Sequence, residues 1–321
     1  MAGTGRQGND ATRLDDAARA GWLYYVAGNT QDEIARKLGV SRQSAQRLVS
    51  LAVTEQLIRV RVDHPIARCM ELAAALTERY GLRGCEVVPS DPEAPQLLTG
   101  VAIAGAVEME RYLKSAEPKI LALGTGRALR ACVEHLTPMD CPQHRIVSRL
   151  GNMMSDGSAT PYNVVIRMAE RVGARHYPMP LPVFARSEEE LRVLHAQEPV
   201  AHTLALCREA DASFVGVGQM DLTAPMVLDG FISPVEIAGL AEADVVGEIT
   251  SWIYDSHGNL VTDGAPRWVL SAPLEKAGDR PVIGIASGAA KVPAIRGALR
   301  GGLINQLITN EATAELVLAH A

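Results

Sequence analysis

Long apolar runs are missing from this sequence. No stretch reaches the roughly 18 residues that a membrane span needs, and the opening MAGTGRQGND lacks the apolar core of a secretory signal. The expectation is a cytoplasmic protein with no membrane partner. Cysteine is sparse and unpatterned: Cys69, Cys85, Cys132, Cys141 and Cys207 are odd in number and never fall as C-x-x-C, which argues against a disulfide framework or a zinc knuckle. One C-x-x-H, Cys141 to His144, has metal-like spacing but no second pair nearby, so neither a metal nor a cofactor is expected. Internal repeats and low-complexity segments are absent too. What is present is 47% hydrophobic content against 21% charged over 321 residues, enough to bury a sizeable core in two domains.

Charge is divided unevenly. The net charge is −6, yet residues 1–65 carry nine Arg/Lys against seven Asp/Glu, a balance of +2 that leaves −8 for the rest. An anionic backbone would attract the first part and be repelled by the second. The first part reads as three helices, Leu14–Ala27, Gln31–Leu38 and Arg42–Gln56, followed by an alternating segment from Ile58 to Val62. Thr30 and Glu33 form a capping box, Ser41 can cap the third helix, and Gly39 sits at the corner between two helices. Helical spacing turns Ile34, Ala35 and Leu38 inward with Val40, Ala45 and Leu48. Arg42, Gln43, Ser44, Gln46 and Arg47 are left pointing outward. With Gln31 and Ser41 they form a candidate DNA-reading surface, since Arg forks onto guanine edges, Gln onto adenine, and Ser with a helix amino terminus onto phosphate. "LIRVRV" would supply a wing with Arg59 and Arg61 near the DNA backbone, so the expectation is a winged helix-turn-helix over residues 1–65 that binds operator DNA. A plain three-helix bundle with a solvated polar face is the competing reading.

From Pro65 a helix-like segment, "ARCMELAAALTERYGLRG", leads into alternating strand, loop and helix over residues 66–321. Apolar β-type runs occur at "KILALG", "HRIVSRLGN", "ARHYPMPLPV", "ASFVGVG", "DVVGEITSWIYD", "PVIGIASG" and "LINQLITN". The pattern predicts an α/β fold, a Rossmann-like doubly wound sheet covered by helices, with ligands at the carboxyl ends of its strands. The loop Gly124, Thr125, Gly126, Arg127 and Ala128 follows the first run, and its glycines can bring backbone N–H groups to a ligand or simply make a tight turn. Lys291 in "SGAAKV", Gly216 and Gly218 in "VGVGQ", and Asn152 in "LGN" stand at other strand ends. Asp229 and Glu248 are carboxylates inside apolar runs. Burying them alone is costly, so each needs a partner: a polyhydroxylated ligand, a backbone N–H or an arginine.

Together these pieces resemble the SorC family of bacterial sugar-responsive transcription regulators, from about Leu14 to Leu318. The resemblance rests on "TQDEIARKLGVSRQSAQRLV", "GTGRA", "FVGVG", "DGFIS", "VVGEITSWIYDSHGNLV", "SGAAKVPAIRGAL" and "GGLINQLITNEATAELVL". It implies an amino-terminal DNA-binding domain, a carboxyl-terminal effector domain similar to sugar-phosphate isomerases and deaminases, and a homotetramer. It also implies that the "GTGRA" loop, Glu248 and Lys291 line the effector pocket. Many relatives bind phosphorylated sugars and often carry hydroxyl-bearing residues in that loop. Here it holds Arg127 and Ala128, and Asp229 near the pocket would disfavour phosphate. The expected effector is therefore a free sugar or sugar alcohol, with a sugar-phosphate sensor as the alternative. An isomerase or deaminase is the rival class. It would need an acid or base beside the substrate's C1 and C2, and strings such as "DGADE" and "KGGGGA" do not occur.

Overall fold

In the computed structural model, residues 4–55, 57–58, 66–154, 157–160, 162–242, 244–262 and 268–319 are described. The chain divides into two compact units, Met1–His64 and Pro65–Ala321.

The first unit contains α1 (Thr4–Tyr25), α2 (Gln31–Leu38) and α3 (Arg42–Thr54). The capping box at Thr30 forms in both directions: Glu33 N–H donates to Thr30 Oγ1 at 3.3 Å, and Thr30 N–H to Glu33 Oε2 at 2.8 Å. Gly39 ends α2 at φ +67°, a left-handed conformation that glycine adopts without strain. Ala20, Ile34, Ala35, Ala45 and Val49 form the small core, with Leu23, Leu38 and Leu48 packed against it. Val40 was expected there but is exposed, because it falls in the turn; Val49, one turn further along α3, is buried instead. The first helix starts earlier than expected, and the third ends at Thr54. The predicted wing lies, beyond Ile58, outside the described residues.

The second unit is built on strands β1 (Gly84–Val88), β2 (Ile120–Leu123), β3 (Arg145–Met153), β4 (Arg175–Pro182), β5 (Phe184–Ala185), β6 (Ala212–Gly216), β7 (Gly218–Gln219), β8 (Val245–Ile249), β9 (Trp252–Asp255), β10 (Trp268–Val269), β11 (Val282–Ile285) and β12 (Gln306–Asn310). Seven of them form one sheet in the order β1-β12-β11-β6-β2-β3-β4, every pair parallel. Neighbouring residues on a strand go to different cores. Phe214 and Ile308 join the helices Thr99–Leu113 and Arg127–His135 on one side, whereas Val215 and Leu307 join Ala67–Tyr80 and Val292–Arg300 on the other. Burial on both faces is why these strands read as continuous apolar runs rather than alternating ones.

Two expectations for this unit need correction. "DVVGEITSWIYD" is not a strand of the main sheet: it folds into the hairpin β8–β9, which joins β7 in a separate antiparallel sheet. The edge strand β1, "GCEVV", was not anticipated; its five residues are too short and too polar to stand out as a run.

Chain order and spatial order reverse between β2 and β6, which lie side by side. From β2 the chain moves outward to β3 and β4; from β6 it moves the other way to β11 and β12. At such a switch point the two connections diverge and leave a crevice beyond the strands' carboxyl ends.

Candidate functional site

A cavity of about 270 Å³ occupies that crevice. Its wall takes Thr125, Gly126 and Arg127 from the turn after β2, Gly216 from the end of β6 and Gly218 from β7. Glu248 and Thr250 come from the β8–β9 hairpin, Ser287 and Lys291 from the turn after β11, and Asp229 and Tyr162 from two connecting segments. Two of the turns share a device: Gly126 precedes the helix Arg127–His135 at φ +114°, and Gly288 precedes the turn Ala289–Lys291 at φ +116°. Such angles are open to glycine and little else. Arg127 thus stands at the first position of its helix, where the unpaired N–H groups gather.

Three of the four charged groups here, Glu248, Lys291 and Asp229, are each held by a neutral one. The Glu248 carboxylate accepts from the Ser251 N–H at 2.9 Å. The Lys291 ammonium donates to the Val217 carbonyl. Asp229 Oδ2 accepts from the Tyr162 hydroxyl at 2.8 Å. Among the described residues no ion pair joins Arg127, Lys291, Asp229 and Glu248, so two cations and two carboxylates face the cavity without neutralising one another in pairs. Burial pushes the Glu248 carboxyl above the ordinary carboxylate range, against the pull of the Ser251 N–H and Lys291. Burial lowers Lys291, with Glu248 opposing. The Tyr162 phenol is pushed up to about 12, first by burial and then by its bond to Asp229, so it remains a proton donor at neutral pH.

Glu248 fits only because Gly218 lies opposite it in the β7–β8 register: a Cβ there would stand 2.2 Å from Glu248 Oε1. The hairpin that carries Glu248 turns through Thr250 and Ser251, at φ +50° and +72°. A two-residue turn of this hand normally uses Asn-Gly, and a β-branched residue there is strained. Thr250 and Ser287 line the cavity with buried hydroxyl oxygens that have no hydrogen-bond partner among the described residues. Strain and unpartnered hydroxyls at one place are characteristic of binding sites.

Most of the residues singled out in the sequence converge here, but two do not line this cavity. Asn152 stands at the end of β3, one residue before its last, but faces a separate space of about 30 Å³, together with Gly124. Gly124 is also a packing position, its N–H donating to Phe214 O at 2.8 Å. Tyr162, Ser251 and Ser287 were missed. Nothing local marks Tyr162, whose partner is 67 residues away. The Cys141–His144 spacing has a structural explanation: His144 is fully buried, its Nδ1 accepting from Lys119 N–H and its Nε2 lying 3.0 Å from Leu113 O.

In the first unit Arg42, Gln43, Gln46 and Arg47 are exposed on α3, Arg42 within 3.5 Å of Asp32. Ser41 and Ser44 are engaged with each other: Ser44 N–H donates to Ser41 Oγ at 3.1 Å and the two hydroxyls are 2.9 Å apart. Gln31 opens α2 and is half-buried.

The second unit is thus a small-molecule-binding domain of the parallel α/β class, and it follows a separate three-helix unit in the chain. The family model "Putative sugar-binding domain" matches residues 64–319. The erythritol catabolism regulatory protein EryD of Brucella abortus (strain 2308) is 33% identical over 302 residues, 94% of this chain and 96% of that one. The transcriptional regulator LsrR of Klebsiella pneumoniae (strain ATCC 700721 / MGH 78578) is 30% identical over 310 residues, 95% and 93% of the two chains. The crystal structure of the full-length sorbitol operon regulator SorC from Klebsiella pneumoniae superposes with a TM-score of 0.67 at 26% identity, covering 95% of this chain and 99% of that one. This chain belongs to the SorC family of sugar-binding transcriptional regulators. Like those relatives it is a regulator and not an enzyme.

Proposed function

We propose that the protein controls a carbohydrate-catabolic operon, with an unphosphorylated sugar or sugar alcohol in the cavity of the second unit governing how the first unit binds operator DNA. The observation that carries this is the balance of the cavity: two cations and two carboxylates, three of them held by neutral partners and Arg127 exposed, beside unpartnered hydroxyls. A neutral polyhydroxyl ligand can accept from Arg127 and Lys291 and donate to Asp229 and Glu248 at once. A dianionic phosphate would gain from the first pair and lose to the second. The volume of about 270 Å³ also suits a small ligand. EryD and SorC are named for erythritol and for sorbitol, both sugar alcohols.

Residues 1–65 are read as a winged helix-turn-helix, with Gln31, Arg42, Gln43, Gln46 and Arg47 facing the DNA and Ser41 and Ser44 holding the amino terminus of α3 against phosphate. Residues 66–321 are read as the effector and assembly domain, related in fold to sugar-phosphate isomerases and deaminases. A single short reading helix gives limited specificity, so a homotetramer that engages repeated half-sites fits the energetics. The effector can shift operator affinity only through its differential affinity for two arrangements, typically about 1–3 kcal/mol. The test is thermal stabilisation of the whole protein across matched sugars, sugar alcohols and their phosphates, followed by operator binding with each hit. A hit with a free polyol that also changes operator affinity supports the reading. A response confined to phosphates makes Arg127 and Lys291 an anion cradle and replaces it.

A further inference from the structure

We propose that Tyr162 is a specificity-determining residue: its hydroxyl fixes Asp229 in the cavity wall, and the fixed carboxylate takes the electrostatic place that a ligand phosphate would otherwise occupy beside Arg127. The inference rests on the reading of the cavity as a site for an uncharged ligand, and it names the part of the wall that rejects the charged one.

The end of the cavity formed by Thr125, Gly126 and Arg127 is where an anion would ordinarily be welcome. A glycine turn delivers the chain into the helix Arg127–His135, and its unpaired N–H groups and the Arg127 side chain all present positive charge. Arg127 is exposed and makes no ion pair among the described residues. It lies within electrostatic reach of both Tyr162 and Lys291. Into the same cavity a distant segment brings Asp229, which ends the short helix Pro225–Leu228 and whose N–H donates to Pro225 O at 2.8 Å.

A carboxylate at a helix end could turn out to solvent. The 2.8 Å bond from Tyr162 draws it inward, across from a segment that ends at the helix Val164–Val172. Oδ2 is engaged by the phenol, and Asp229 has no other side-chain hydrogen bond among the described residues, so Oδ1 is available to a ligand hydroxyl. The phenol remains protonated well above neutrality, so the bond persists across the physiological range. The result is a cavity whose anion-binding end already contains an anion. A ligand hydroxyl can bridge Arg127 and Asp229; a phosphate meets one of them as a like charge.

The test measures affinities of the full-length protein for a tetritol, a pentitol and a hexitol, for their terminal monophosphates and for inorganic phosphate, in wild type, Asp229→Asn and Tyr162→Phe. Thermal midpoints confirm that each variant is folded. Asp229→Asn preserves shape and removes the charge, so the ratio of phosphate-ester to free-polyol affinity rises at least about tenfold. Tyr162→Phe leaves the carboxylate but unpins it, and the ratio rises by a smaller factor, a change in selectivity that a merely structural loss would not produce. Adding Arg127→Ala to Asp229→Asn abolishes the gain. The inference is overturned if wild type binds a free polyol and the ratio is unchanged in both variants. If instead wild type prefers the phosphates, the uncharged-ligand reading falls first and this inference falls with it.

Discussion

The outward face of the three-helix unit is made within one short stretch, Gln31 to Arg47, whereas the cavity draws on positions from Tyr162 and Arg127 through Asp229 and Glu248 to Lys291. In the first, each feature follows from its neighbours: a capping box, a left-handed glycine, an α3 whose buried side leaves Arg42, Gln43, Gln46 and Arg47 on the other. In the second, no two of the charged residues lie on one element, and their proximity exists only because β2 and β6 are adjacent at the switch point. A locally made surface tolerates change in the rest of the chain. An assembled cavity depends on every strand order and turn that feeds it.

Substitutions can separate the two regions. The largest effect is expected for Lys291→Met, which removes a half-buried cation whose charge favours the ionised form of Glu248: effector affinity falls roughly 100-fold while operator affinity is unchanged, as calorimetry and a gel shift would report. Gly218→Ala forces the Glu248 carboxylate aside and should weaken the effector about tenfold at a stability cost of about 1–3 kcal/mol. Arg42→Ala or Gln43→Ala reverses the pattern, lowering operator affinity by roughly 1–3 kcal/mol and leaving the effector melting shift intact. If either variant changed effector affinity instead, the separation between the regions would fail.

Acidity sharpens the comparison further. Glu248 has a folded-state pKa above 4.5, so its ionised form opposes folding: stability contributed by this group rises as pH falls through the raised pKa towards 4.5. Effector affinity should move the opposite way over that window, because the protonated carboxyl accepts hydrogen bonds less well, and Glu248→Gln should flatten both profiles. The smallest effect is expected at the strained turn. Ser251→Gly at φ +72° should raise the thermal midpoint by about 1–3 °C, with strain relief partly offset by glycine's greater chain entropy.

How much the sequence revealed follows the same divide. Capping, corner and polar face were all readable because each spans a few residues. The parallel sheet was readable because strands buried on both faces are apolar throughout. Glu248 and Asp229 stand out as carboxylates in apolar runs and Lys291 as a cation at a strand end, and all three line the cavity. Tyr162 did not, since a tyrosine in a loop is unremarkable until its hydroxyl is seen 2.8 Å from a carboxylate 67 residues on. Asn152 does stand at a strand end, that of β3, but which of two adjacent spaces it lines is not legible in the sequence. β8 and β9 were fused into one run because Thr250 and Ser251 carry no turn signature; the residues that bend there do so against their own preference.

The order of strands also bears on biosynthesis. Among the described residues β12 comes last in chain order, yet it sits inside the sheet, between β1 and β11, with Gly84 opposite Gln306 and Ile283 opposite the same residue. A ribosome therefore releases the three-helix unit long before the sheet can close, since among the described strands β1 pairs only with β12 and must wait until Gln306–Asn310 has emerged. The seven-stranded sheet is complete only once β12 has been made, and a chain that stops short of it leaves β1 unpaired and opens the edge of β11.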